Sequence, residues 1–307
     1  MLNNGNVNKD ITMTTVTTNK ALVLSGENKN AILTLDEQIV NCIGEDAQII
    51  HTGKKAKIYD NEGTEYDEDK GTIKHGKNSL FITTGEESFI EASSKSVAFA
   101  SGKKAKISHS FEQDESNEDT ELNLVKNATA ITTGDEAIIF CYASDSVAIS
   151  TGNDVWIQDL TEGSIGIATG NNTNVVSEGN FKAAAIFGDH SGISGFDASC
   201  SAFVGGKNCS ANIGHNGLLL SEFPLEALNA GTNSVIVVGW HDGERKRFST
   251  YYQGTDFEGD IEWITKDPET GKKTKHYRSN IYKTTELGEL ILLETNESEQ
   301  DISWQKD

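Results

Sequence analysis

The chain has 307 residues, enough for two domains, and its 29 Gly against only 2 Pro suit a regular all-β array rather than a disordered linker. A formal net charge of -21 argues against nucleic acid or an anionic membrane as partner and favours solubility or a basic protein. No apolar run approaches the ~18 to 20 residues of a membrane span, and Met1-Leu2-Asn3-Asn4-Gly5 lacks the basic patch and apolar stretch of a leader, so a cytoplasmic protein is expected, with leaderless export or virion association as the alternative.

In chain order, residues 1–19 are Asn- and Thr-rich and are expected to form a tail or a capping strand. From 20 to 215 a Ser/Thr-Gly step recurs, plainest at Thr133-Gly134, Thr151-Gly152 and Thr169-Gly170, which follow one another at 18 residues. Five and three residues before each glycine stand apolar or small pairs such as Val147/Ile149 and Ile165/Ile167. Three and five after it stand Ala137/Ile139, Val155/Ile157, Thr173/Val175 and Ser191/Ile193. A spacing of two places both members of a pair on one face of a strand, so each unit reads as strand, Gly-centred turn, strand, with both pairs facing inward.

The expected fold class is therefore all-β: a flattened two-sheet β-solenoid of about 18 residues per coil, followed by a small antiparallel β domain. A left-handed hexapeptide helix also completes a coil in 18 residues, but its third apolar slot is mixed here: Tyr142, Leu160, Glu178, Phe196 and Gly214. The glycine is expected to supply positive φ at a tight corner, and the adjacent Thr or Ser to stack as a ladder.

Two acidic insertions lengthen the coils, near 59–72 and near 108–121. They follow the near-identical Gly53-Lys-Lys-Ala-Lys-Ile58 and Gly102-Lys-Lys-Ala-Lys-Ile107. Asp67, Glu68 and Asp69 in the first, and Asp114, Glu115 and Asp119 in the second, are candidate contacts for a basic partner or a cation. Beyond Gly206 the pattern fades. The stretch 217–229, with Pro224 and then Gly231, predicts a short capping helix, and a boundary is placed near 216. Within 216–307, 234–240 turns through Asp242-Gly243 into 245–252, 261–265 turns through 267–271 into 275–278, and 287–294 supplies a further strand. Trp240, Tyr251, Tyr252 and Trp263 in this part are candidate aromatic anchors for a partner.

With their Lys55-Ala-Lys-Ile58, Lys104-Ala-Lys-Ile107 and Ser146-Val-Ala-Ile149 units, residues 20–211 resemble uncharacterised bacterial and phage proteins built from tandem Ala-x-Ile and Ser/Thr-Gly repeats. A weaker likeness is to the head repeats of trimeric autotransporter adhesins. These resemblances imply a β-roll, with surface presentation, and no assigned chemistry.

No Gly-x-Ser-x-Gly elbow, phosphate-binding loop or His-Glu-x-x-His occurs, and Asp189-His190-Ser191 are consecutive, so they point to alternate faces and cannot form a relay. Cys42, Cys141, Cys200 and Cys209 lack paired metal-site spacing and read as reduced core thiols. No enzyme activity, cofactor or metal is expected. The leading expectation is a rigid scaffold or display module with a C-terminal partner-binding or assembly domain, its protein partner unknown and a homo-oligomer allowed. The alternatives are an acidic decoy that imitates nucleic acid, a calcium-binding β-roll whose Gly-Gly-x-Gly-x-Asp spacing is missing here, and a Thr-ladder ice binder.

Overall fold

A computed structural model describes residues 13–16, 21–25, 30–43, 46–60, 78–109, 126–158, 160–177, 183–195, 200–268, 270 and 272–302. The described residues form strands and turns, with no helix among them. Strands recur every nine residues, as in Thr129–Thr132, Ile138–Cys141, Val147–Ser150, Trp156–Gln158, Ile165–Ala168 and Asn174–Ser177. Alternate strands go to opposite sheets. Thr129–Thr132, Val147–Ser150 and Ile165–Ala168 pair in parallel in one sheet, called sheet A, and the strands between them pair in parallel in sheet B. Two half-coils make one 18-residue turn of a two-sheet solenoid, as the repeat predicts.

The core is filled from sheet B. Val40, Ile58, Ile90, Ile107, Ile139, Ile157, Val175 and Ile193 stand in one file, in register from strand to strand and at most 2% exposed. Burying each such side chain gains roughly 1.5 to 3 kcal/mol, and stacking lets every rung share its neighbours' hydrogen bonds.

Sheet A corrects the sequence reading by one residue. The expected inward pair Val147/Ile149 lies on the outer face, and the buried residues are Ala148 and Ser150. Likewise Ala130 and Thr132 are inside, while Thr129 and Ile131 are outside. The space between the sheets is the cause. A Cβ added at inward Gly166 would lie 2.7 Å from Leu160 Cδ1 and 2.8 Å from Val175 Cγ1, so in these middle coils only small side chains fit opposite, while Ile49, Phe81 and Ile186 fill the same inward positions in other coils. A one-residue change of register sends every side chain to the other face.

The glycine role is also corrected. Gly85, Gly102, Gly134, Gly152, Gly170, Gly188 and Gly206 are not the left-handed residues. Those stand two positions later, at Glu87, Lys104, Glu136, Asp154, Asn172, His190 and Asn208. The glycine is required because coils touch there: a Cβ at Gly152 would sit 2.1 Å from the carbonyl oxygen of Gly134 in the coil below.

The expected helix at 217–229 is two strands, Leu218–Ser221 and Leu225–Ala230. They pair in parallel with Ser201–Val204 and Cys209–Ile213, so stacking runs past the boundary expected at 216 and continues through Val235–His241. Open sheet edges offer this segment a full set of hydrogen bonds. A helix that short is marginal on its own. Beyond it the expected antiparallel part is present: Lys246–Tyr252 pairs with Val235–His241, and Lys273–Thr284 pairs with both Ile261–Lys266 and Leu290–Asp301. Tyr282 joins this part to sheet B opposite Leu228 and packs edge-on against buried Phe257 at 5.6 Å, closing the end of the core. At the other end, Met13–Val16 pairs with Asn30–Leu33 as a further parallel rung.

Candidate interaction surfaces

The corner that follows sheet A is a ladder with its polar atoms already in use. The Oδ1 of Asp135 accepts from the backbone N–H of Asn153 at 2.8 Å, Asn153 does the same for Asn171, Asn171 for Asp189 and Asp189 for Lys207. Lower in the stack the corner residues alternate in charge by coil. Lys54 meets Glu86 at 3.0 Å, and Lys103 meets Glu136 at 2.7 Å. The carboxylate of Glu136 is held below its usual range by the hydrogen bond from Lys103. This accounts for the Lys-Lys pairs at positions where other coils carry acids: stacking puts unlike charges one rung apart. Among the described residues, no group of three or more His, Cys, Asp or Glu could hold a metal ion.

The six acidic candidates, Asp67, Glu68, Asp69, Asp114, Glu115 and Asp119, lie outside the described residues. The four aromatic candidates divide two and two. Trp240 and Tyr251 pack inward. Trp240 Nε1 donates to Ser249 Oγ at 3.0 Å, a Cβ on Gly288 would lie 2.2 Å from the indole, and the Tyr251 hydroxyl donates to the Gly288 carbonyl. These two hold the turn at 285–288. Tyr252 and Trp263 are exposed, the first on the terminal strand of sheet A and the second on the antiparallel strands that extend sheet B.

Trp263 has a ring and a cation beside it. It lies flat on His276 at 5.0 Å, and the Arg278 guanidinium stands 5.8 Å from its centroid. Ile264, Ile291, Leu292 and Leu293 are exposed on the same three strands, and Leu290–Asp301 is an edge strand. Where this part meets the solenoid, a groove of about 370 Å³ is lined by Asn174, Ser210, Asn229 and Ser279 together with Val176, Ala227 and Ile281, so it mixes amide and hydroxyl groups with apolar surface and carries no charge. At its rim, Tyr277 donates to Asp260 at 2.9 Å. Burial, then that carboxylate, push its phenol up to about 12.

Sequence reasoning missed the largest surface because it assigned those residues to the core. Outside sheet A, Ile32, Ile50, Ile82, Phe99, Ile131, Ile149, Ile167, Ala185, Phe203, Leu220 and Val237 form one unbroken file. A parallel file includes Leu80, Val97, Val147, Ile165 and Leu218, and leads to Val235 and then Tyr252. The expected Thr ladder, through Thr84, Thr133, Thr151 and Thr169, borders them as a third file, in which Glu222 is the sole charge between Thr34 and Gly239 among the described residues. Lys246 neutralises it at 2.7 Å. Sheet B differs, since its outer face carries Lys57, Glu91 and Lys106.

Inside, a few titratable groups are sequestered. His51 Nδ1 accepts from the Gly53 N–H at 3.1 Å, which leaves Nε2 to donate to Gln38, and burial lowers its pKa to about 4. His109 is fully buried with no hydrogen-bond partner on either ring nitrogen among the described residues, and desolvation lowers it to about 4. Asp60 is pushed up by burial, against hydrogen bonds from Ser93 and Ser96. All four cysteines are free and buried, as core thiols should be, and burial raises Cys42, Cys200 and Cys209.

The fold and these surfaces define a parallel two-sheet β-solenoid with an antiparallel C-terminal extension. Comparison with protein-family models, curated proteins and solved structures gives no match.

Proposed function

We propose that this chain is a non-enzymatic, rigid scaffold or display module of bacterial or phage type, whose C-terminal antiparallel strands dock a protein partner or drive assembly. One observation carries the reading. Eleven parallel rungs of sheet B, about 50 Å at ~4.8 Å per strand, lead through Tyr282 into antiparallel strands that expose Trp263, Ile264, Leu292 and Leu293. A rod of stacked coils holds its ends at fixed separation, and an exposed Trp stacked on His276 beside the Arg278 guanidinium has the aromatic and Arg composition of a binding hot spot.

Two details favour a scaffold over the alternatives. The corner acids and amides are engaged as acceptors for the next coil, which weighs against a calcium ladder, and the charges alternate in sign along the corner instead of forming the uniform line of a nucleic-acid mimic. The test uses the full chain. Its small-angle scattering should give a rod-like cross-section. A partner captured on the wild type and then purified should bind at least about tenfold more weakly to Trp263→Ala, the usual loss for a hot-spot residue. Equal binding to both proteins would remove the C-terminal docking role.

A further inference from the structure

We infer that the outer face of sheet A is a self-association surface, covered in solution by the same face of a second copy of this chain. The inference is independent of the C-terminal docking role, since it concerns the flank of the rod and other residues.

The face has the anatomy of an interface: one unbroken apolar file, and an adjoining file mostly apolar but interrupted by Asn30, Gln48, Thr129 and Ser201. A third file is of Thr and other residues with Glu222 as its charge, and charged corners such as Lys95 and Asp145 stand on one side and Lys103 and Asp135 on the other. Its size argues for cover. Eleven rungs at ~4.8 Å, from Asn30–Leu33 to Val235–His241 and each four residues wide at ~3.3 Å, span roughly 700 Å², of which roughly 600 Å² is apolar, the top of the 300 to 600 Å² range for the largest apolar patch on an ordinary monomer. Two copies face to face would bury roughly 1,400 Å², within the range of stable protein interfaces.

The chemistry selects a second copy. A basic protein, a nucleic acid or an anionic lipid needs charge, and the face offers only Glu222, already paired with Lys246. The chain as a whole carries -21, so two copies repel along most approaches and meet least repulsion where neither is charged. The face is also periodic, with rungs in register from Asn30–Leu33 to Val235–His241. A second sheet of the same spacing matches every rung.

Ile149 lies on the seventh of the twelve parallel strands of sheet A, close to the middle of the file. Whether the second copy lies parallel or antiparallel, its Ile149 is within about one rung, ~5 Å, of the first. Sedimentation velocity of the full chain should therefore show a dimer or higher closed oligomer at micromolar concentration. Ile149→Asp with Ile167→Asp should weaken it by roughly a hundredfold or more, because like charges would be buried against each other. Ile138→Asp with Trp156→Asp, on the outer face of sheet B, should leave the oligomer intact.

A second readout covers the case in which the charged variants fail to fold. Ile149→Cys should give an interchain product with a short bis-maleimide, whereas Ile138→Cys should not. The native thiols are buried, so the introduced one dominates. A monomer at 50-fold the working concentration, an oligomer whose mass is unchanged in the folded sheet A variants, or equal cross-linking from both cysteines would each overturn the inference. Flotation of monomeric wild type with zwitterionic lipid vesicles would do so too, by giving the face to lipid.

Discussion

The two sheets are built from the same nine-residue half-coil and, in the middle coils, handle side-chain size in opposite ways. Sheet B points its isoleucines inward, at Ile139 and Ile157. Sheet A points alanine and serine inward, at Ala130, Ala148 and Ser150, and its isoleucines outward, at Ile131 and Ile149. In these middle coils the inward isoleucines of sheet B leave room only for small side chains opposite, whereas coils nearer the ends also take Leu33, Ile49, Phe81, Ile186 and Leu219 inward from sheet A. The result is a core complete within each coil and an apolar flank that the core does not use.

Three measurements would break or sharpen that contrast, the largest expected effect first. Both sheets close on the same glycine corner, so Gly152→Ala should cost about 4 kcal/mol or more, because its Cβ would sit 2.1 Å from the backbone of the coil below, where no side chain can give way. Thermal unfolding by circular dichroism reads this directly. A loss under about 1 kcal/mol, or the gain of about 0.4 to 1 kcal/mol ordinary for Gly→Ala at a tolerated φ, would mean the coils do not touch there.

Next is a pair. Ile157→Ala should cost about 3 kcal/mol by emptying the core file, while Ile149→Ala in dilute solution should cost under about 1.5 kcal/mol, since its side chain is already partly open to solvent. Equal losses in denaturant titrations would restore the register first read from the sequence.

The smallest effect concerns acid. His109 on the inner face of sheet B has a folded pKa of about 4 against an ordinary 6.5. Between those values the unfolded chain binds more protons, so the stability His109 leaves intact above pH 6.5 is lost as pH falls, about 2 kcal/mol of it by pH 5. Asp60, whose folded pKa is raised, works the other way: protonation relieves its buried charge on acidification. The difference between wild type and His109→Leu isolates the histidine, and parallel stability curves from pH 7 to 5 would show that it is not sequestered.

Much of this was legible beforehand. The 18-residue interval, the two-sheet coil, the single file from Ile139 to Ile193, the buried thiols and the antiparallel strands after 234 all follow from spacing. Of the candidate site residues, Tyr252 and Trp263 are exposed as a partner surface requires, while Trp240 and Tyr251 support the turn at 285–288. The apolar flank was hidden in plain view, because its residues had been counted as core. The stretch 217–229 misled because leucines around Pro224 fit a helical start as well as two short strands, and only the open edges of the stack favour the strands.

By itself, the sequence determined the period, since a repeat of side-chain types fixes how far along the chain each coil closes. Tertiary structure alone decided which side of each sheet A strand faces in, because Ala148 and Ile149 are neighbours of opposite direction and local pattern allows either. What settles it is the distance to the opposing isoleucines, a property of two segments nine residues apart meeting across the core. The same holds for the corner glycines: their identity is written in the sequence, but the reason for it is a carbonyl oxygen one coil away.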